Sequence, residues 1–370
     1  MTLRFAADRI LVQCPSWVGD AVMATPALRC LRRNYPRAHI TWLMRSYVQP
    51  VLANAPWCDA MVTYDPHKPR EDAGGLLRTV LALRRERFDL AVLLTHSFRS
   101  ALLVRLAGVR RRVGISCGDQ SFLLTDVIAW PRAAGRRLPI AKVDLYAHVL
   151  RYLGCQGWEE QRQELFFSPA QDETVCQLLA ARGVRAGQPL FCLVPGAAYG
   201  ESKHWYTDRF QQVGDNLAQQ YGAALAIIVS PGEKKLAEQI AAGMRVTPLV
   251  FADGEMDLGC LKPLVARASL MVTTDTGPRH YAVAFGVPVV VLMGPTDPRL
   301  TASNYERTVI LRHQVPCGPC QRRRCRYAGK VGYDRRCMDL ITVDEVMTAA
   351  EFLLHRWPPH PFLAPGEHLP

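Results

Sequence analysis

Ser269-Leu270-Met271-Val272-Thr273-Thr274-Asp275-Thr276-Gly277-Pro278-Arg279-His280 joins an uncharged, apolar run to a turn and then to a helical segment that ends at Gly286. A buried strand that turns directly into a helix aims backbone N–H groups at one point, and such a point binds phosphate. Thr276 and Gly277 are expected to present those amides, and Gly277, lacking a Cβ, lets a diphosphate approach closely. Asp275 has a plain structural alternative as the N-cap of the helix.

The same alternation of strand and helix runs along the whole chain. In the second half, apolar runs at 190–194, 224–229, 249–252, 270–273 and 287–293 read as strands with helix-length segments between them; in the first half, 10–14, 40–44, 60–64 and 90–95 do the same. Alternation of this kind predicts parallel sheets with crossover helices, an α/β class of doubly wound domains. A polar stretch at 154–187, holding one helical segment at 174–181, separates the halves. The expected domains are therefore 1–170 and 171–357. Thr342 followed by Glu345 is a capping-box pattern ahead of a helix running to about 357, and the Pro-rich remainder, 358–370, reads as a loose tail. Two such domains in tandem are expected to face each other across a cleft at the carboxyl ends of both sheets, where ligands of open α/β sheets bind.

Composition narrows the classes of function. A chain of 370 residues exceeds one ordinary core, which agrees with two domains. No apolar run reaches the roughly 18 residues a membrane span needs, and Arg4, Asp8 and Arg9 stand where a signal peptide has its apolar core, so a cytoplasmic location is expected. Twelve cysteines are scattered, with Cys14 and Cys192 inside apolar runs, as reduced thiols rather than a disulfide framework. Lys and Arg outnumber Asp and Glu by 45 to 33, so an anionic partner is expected. Nucleic acid is only a minor alternative for that partner, since no recognised binding motif is present and aromatic residues do not interleave with the basic ones.

Further chemistry falls at strand ends. The loop Pro195-Gly196-Ala197-Ala198-Tyr199-Gly200-Glu201-Ser202-Lys203-His204-Trp205 combines two glycines with a cation, and Lys203 is placed to neutralise a phosphate. Ser230-Pro231-Gly232-Glu233 offers a carboxylate that can accept from ribose hydroxyls, although Glu is also favoured in the first turn of any helix. In the first half, Pro15-Ser16-Trp17-Val18-Gly19-Asp20 follows the first strand and precedes a helical run over 21–34. Asp20 can take a proton from an attacking hydroxyl, or simply cap the helix; Thr25 before Pro26 is an equally good cap.

Taken together, Gly19-Asp20-Ala21-Val22-Met23-Ala24-Thr25-Pro26, the 195–205 loop, Asp275-Thr276-Gly277-Pro278-Arg279-His280 and Gly294-Pro295-Thr296-Asp297-Pro298 resemble the ADP-heptose:lipopolysaccharide heptosyltransferases of glycosyltransferase family 9, most of all the heptosyltransferase II type, over roughly residues 8 to 355. The resemblance implies a GT-B fold of two Rossmann-like domains, the acceptor on the first and the nucleotide-sugar on the second. It also implies inverting transfer of heptose from ADP-L-glycero-D-manno-heptose to the lipopolysaccharide inner core, with no catalytic metal and no cofactor beyond the donor substrate. Asp20 matches the family's general base and Lys203 its phosphate-binding lysine. Glu233 matches the ribose contact and Met256 an adenine-side contact, while Asp275, Thr276, Gly277 and His280 match the loop around the diphosphate and sugar. The acceptor, an anionic lipid A-core, implies a peripheral position at the inner face of the inner membrane. Pro278-Arg279 departs from the small or apolar pair many relatives carry before the histidine. The architecture alone also admits another nucleotide-sugar enzyme, such as an epimerase, or a non-catalytic nucleotide-sugar-binding protein.

Two features stand outside that frame. Arg110-Arg111-Arg112 offers a basic contact for phosphorylated or carboxylated core sugars, or a solvated turn. Cys317-Gly318-Pro319-Cys320 with Cys325 and Cys337 supplies the four thiols of a tetrahedral zinc site, yet the spacing after Cys320 lacks a second CxxC pair, and reduced packing cysteines remain the alternative.

Overall fold

Leu190–Val194 (β9) shows why the second half folds as it does: all five residues of LFCLV are buried. A strand covered on both faces needs a continuous apolar run, which is the mark of a parallel sheet sandwiched between helices. Each fully buried Leu, Val or Phe contributes about 1.5–3 kcal/mol by leaving water, so a run of them is held at the middle of a sheet. The structure, a computed structural model, describes residues 4–65, 73–116, 118 and 120–362. Its chain divides into two compact units, Met1–Phe166 with Arg299–Ser303, and Phe167–Pro298 with Asn304–Pro370.

The first unit is built on strands β1 (Arg9–Gln13), β2 (His39–Met44), β3 (Ala60–Thr63), β4 (Leu90–Leu93), β5 (Arg111–Ser116) and β6 (Asp126–Ala129), in the order β3-β2-β1-β4-β5-β6. All neighbours in it are parallel. A small antiparallel pair follows, β7 (Arg132–Ala133) with β8 (Arg136–Arg137). The second unit repeats the plan with β9, β10 (Ala224–Ile228), β11 (Leu249–Phe251), β12 (Leu270–Thr274), β13 (Val289–Leu292) and β14 (Thr308–Leu311), in the order β11-β10-β9-β12-β13-β14. Counted within its own unit, each sheet has the 3-2-1-4-5-6 order of a doubly wound domain, in which chain direction across the sheet reverses between the first strand and the fourth. Those positions are β1/β4 and β9/β12.

Nine strands lie where the apolar runs predict them, within a few residues. Besides the short pair β7 and β8, three strands of the two main sheets carry no such signal. β5 opens on the charged pair Arg111 and Arg112, β6 begins with Asp126, and β14 is a four-residue edge strand, only half-buried. Arg111 and Arg112 are therefore strand residues rather than a solvated turn. Arg111 and Arg112 begin β5 at its N-terminal end, opposite to the carboxyl edge where ligands of such sheets bind. Arg112 donates to the carbonyls of Leu123 (2.8 Å) and Val109 (2.5 Å), while Arg111 pairs with Asp126 (3.3 Å).

The helix ahead of β9 runs Pro169–Ala181, longer than the expected 174–181, and starts on a capping box between Ser168 and Gln171. The Thr342–Glu345 capping box forms as its spacing predicts, ahead of helix Val343–Arg356. Beyond it the chain is not loose at once. Phe362 is 4% exposed, exchanges backbone hydrogen bonds with Gly187 and Gln188, and His360 is held by the Ser269 hydroxyl. Residues 363–370 of the expected tail lie outside the described residues. No helix among the described residues is long and apolar enough to cross a membrane.

Candidate functional site

Five loops of the second unit leave the carboxyl ends of parallel strands. Lys203 follows β9, Glu233 follows β10, Met256 follows β11, Asp275 follows β12 and Thr296 follows β13. The register of β12 on β9 sets Thr273 opposite Val194, so the Lys203 and Asp275 loops emerge side by side at the reversal point of the sheet. The Thr274 hydroxyl ties them further by donating to the Gly196 carbonyl at 2.6 Å.

Across that point Lys203 Nζ donates to the Asp275 carbonyl (2.6 Å) and to its Oδ2 (2.8 Å). Thr296 Oγ1 donates to the same Oδ2 at 2.6 Å, and Arg279 Nε stands 3.4 Å from Oδ1. Burial alone raises a carboxyl's pKa, but the Arg279 and Lys203 charges and the two hydrogen bonds outweigh it, holding Asp275 well below the usual carboxylate range. His280 is buried at 5% exposure, and burial followed by the Arg279 charge keeps it neutral, its pKa well below the usual imidazole value. Its Nε2 accepts from Arg279 Nε at 3.2 Å, which assigns the ring proton to Nδ1.

The turn itself is tighter than expected. Gly277, not Asp275, is the N-cap of helix Pro278–Phe285, and no side chain caps it. The amides of Arg279 and His280 donate back to Thr276 and Gly277 carbonyls, and Pro278 has none to give. That leaves the half-buried amides of Thr276 and Gly277 at this end of the helix.

Glu233 is drawn into the β9 loop. Its Oε1 accepts from the Ala197 amide at 2.6 Å and its Oε2 from the Ser230 hydroxyl at 2.6 Å. His204 Nε2 stands 3.4 Å away but is not aligned for a hydrogen bond. Burial opposes ionisation, yet the His204, Ser230 and Ala197 contacts prevail and lower Glu233 to about 2. Gly196 makes this approach possible: a Cβ there would lie 2.5 Å from Glu233 Oε2. Gly196→Ala is expected to displace the flexible end of Glu233 and break its hydrogen bond with the Ala197 amide, lowering stability by about 0.5–1.5 kcal/mol; urea unfolding checks this, and an unchanged midpoint refutes it.

The 195–205 loop is braced from outside by residues 321–323. Tyr199 Oη donates to the Gln321 carbonyl and Ser202 Oγ to the Arg322 carbonyl, both at 2.5 Å. Gly200, at φ +153°, accommodates the Arg323 carbonyl, which a Cβ would meet at 2.4 Å. Cys317, Cys320, Cys325 and Cys337 belong to this bracing segment. Burial, then the neighbouring Cys320, Cys317 and Cys325, raise the Cys337 thiol to about 11. Among the described residues no group of three or more His, Cys, Asp or Glu side chains is arranged to hold a metal ion.

In the first unit the helix expected over 21–34 begins earlier and is broken. Val18–Met23 starts on the Trp17 backbone, and Thr25–Asn34 follows after Ala24. Neither Asp20 nor Thr25 is a cap. Thr25 Oγ1 donates to the Val22 carbonyl (2.7 Å) and accepts from the Glu164 amide (3.1 Å). Asp20 lies half-buried in the first turn after β1, where a carboxylate is favoured by the helix dipole, and after burial it is the next cause that raises the Tyr146 phenol.

Of the residues expected from sequence, Lys203, Asp275 and His280 thus share one cluster, and Glu233 joins it through the β9 loop. Met256 is half-buried in the loop after β11, and Asp20 stands on the other unit. Thr296 and Arg279 lie in the 294–298 and 275–280 motifs, and both follow strand ends, the sequence signal that marks them.

Residues 76–331 match the model of glycosyltransferase family 9 (heptosyltransferase). Lipopolysaccharide heptosyltransferase 2 of Escherichia coli K12 is 26% identical over 312 residues, covering 82% of this chain and 88% of that protein. The crystal structure of a family 9 glycosyl transferase from Veillonella parvula superposes with a TM-score of 0.84 at 22% identity, covering 96% of this chain and all of that one. E. coli ADP-heptose lps heptosyltransferase II gives 0.76 at 23% identity, covering 94% and 99%. The two doubly wound sheets are accordingly those of a GT-B fold, and the chain belongs to glycosyltransferase family 9, the heptosyltransferases.

Proposed function

We propose that the chain is an inverting heptosyltransferase of lipopolysaccharide core assembly, moving heptose from ADP-L-glycero-D-manno-heptose to the inner core. The observation that carries the reading is the Lys203–Asp275–Thr296 cluster at the reversal point of the second sheet, where nucleotides bind in doubly wound domains. Lys203 and the amides of Thr276 and Gly277 hold the donor diphosphate, Glu233 the ribose, and Met256 the adenine side. His280 supports the loop from beneath. As the sugar–oxygen bond breaks, negative charge grows on the departing ADP, and fixed cations that meet it lower the barrier more than they tighten the ground state. Asp20 takes the proton of the attacking acceptor hydroxyl, and a single displacement inverts the anomeric carbon. Lysine charge on the diphosphate does the work a catalytic metal would otherwise do, so no metal or further cofactor enters.

The acceptor is an anionic lipid A-core, and the enzyme acts as a peripheral protein at the cytoplasmic face of the inner membrane. Its net charge of +12 and the exposed Arg322, Arg323, Arg324 and Arg326 suit such a surface. The test is a panel of ADP- and UDP-sugars with a truncated inner-core acceptor, scoring nucleotide release and the configuration of the new linkage. ADP release from ADP-heptose, dependent on acceptor and giving inversion, is expected. Conversion of the donor without acceptor, retention at the anomeric carbon, or ADP binding without transfer would each end the reading.

A further inference from the structure

Asp275 serves two cations at once. The side chains of Lys203, Arg279 and Asp275 are 9%, 2% and 11% exposed, so the cluster is shielded from water and its charges must balance internally. They do not. One carboxylate faces an ammonium and a guanidinium, the neighbouring His280 ring accepts from Arg279 rather than adding an anion, and Thr296 contributes only a hydroxyl. In addition, Arg279 Nη1 and Nη2 are sealed from solvent and have no hydrogen-bond partner among the described residues. A guanidinium is charged at every physiological pH and carries five donors; leaving its two terminal nitrogens unmatched in the interior is destabilising. An apolar side chain of similar length would fill the space without that penalty, and replacement of buried ions by such residues is often neutral or stabilising.

We propose that Arg279 is a positioning residue for diphosphate binding: it keeps Asp275 paired while Lys203 turns from that carboxylate to a phosphate oxygen. In the structure Lys203 is held by Asp275. It can be shared with an incoming anion only if the carboxylate left behind retains another cation, because an unpaired buried carboxylate opposes binding. Arg279 Nε already lies beside Oδ1, and the unmatched Nη donors give the guanidinium spare capacity for the carboxylate as Lys203 moves away. His280, accepting from Nε, fixes the plane of the guanidinium. The surplus positive charge of the cluster is then neutralised by the ligand, so the site is completed by the anion it binds.

This inference rests on the donor-diphosphate reading above. Calorimetric titration of wild type and Arg279→Met with inorganic pyrophosphate, ADP and adenosine, alongside thermal unfolding, tests it. The variant leaves Lys203 and Asp275 as a neutral pair, so it is expected to unfold no lower than wild type. Its affinity for pyrophosphate and ADP is expected to fall by roughly tenfold or more, the scale of one lost charge-assisted contact, with adenosine unaffected. Arg279→Lys is expected to restore part of the loss. Undiminished pyrophosphate and ADP affinity in Arg279→Met would overturn the proposal. So would a proportional loss for adenosine with a lowered midpoint, since that is what a structural prop alone gives. Wild type binding pyrophosphate but neither ADP nor adenosine would refute the adenosine-diphosphate donor, while the pyrophosphate comparison still decides Arg279.

Discussion

Asp20→Asn is expected to lower heptose transfer by roughly 10²- to 10⁴-fold, the range a positioned general base contributes, while leaving ADP affinity near that of wild type. Asn keeps the size of the side chain and its place in the first turn of Val18–Met23, so the helix has no reason to move. What it removes is the capacity to accept a proton. The split between transfer and donor binding follows from the fold: Asp20 stands on the first unit, and every residue assigned to the diphosphate stands on the second. Steady-state rates with acceptor, paired with ADP titration, read the two quantities separately. Transfer at the wild-type rate would remove Asp20 from its role.

The largest effect on stability is expected at Asp275. Asp275→Ala leaves Lys203 and Arg279 buried and without a carboxylate, and removal of one partner from a buried ion pair costs about 3–5 kcal/mol. The contribution of Asp275 also has a sign in pH. Its folded-state pKa is depressed, so the stabilisation is fully present above its usual value of 3.8 and is lost as pH falls from there through the folded value. The gap in unfolding free energy between wild type and variant should be full at pH 7 and narrow below about pH 4. Denaturant unfolding at both ends of that range checks it, and equal stability at pH 7 would show that the cluster is not the support its geometry indicates.

Much of this was legible in the chain because buried parallel strands write themselves as uninterrupted apolar runs. Leu190–Val194 and Leu270–Thr274 needed no partner to be recognised, and their ends located Lys203 and Asp275. β5 was hidden by Arg111 and Arg112, whose charges are met by Asp126 and by the Leu123 and Val109 carbonyls. The caps misled for a related reason. Asp275 and Asp20 both have the residue type and place of a cap, but competing partners decide what a carboxylate does: two cations engage Asp275, while the Trp17 backbone starts the helix ahead of Asp20. Thr296 and Arg279 became significant only once the β13 and β12 ends were set beside one another. The Glu233 contact with Ala197 depends on an absent Cβ at Gly196, which no sequence periodicity records.

Residues 299–303 lie within the first unit although they are encoded deep inside the second. Inheritance of the two halves therefore cannot be separated at a single junction. A hybrid spliced between Phe166 and Phe167 from two parents would carry a short foreign patch in its first unit, and faithful exchange of either half requires three crossovers.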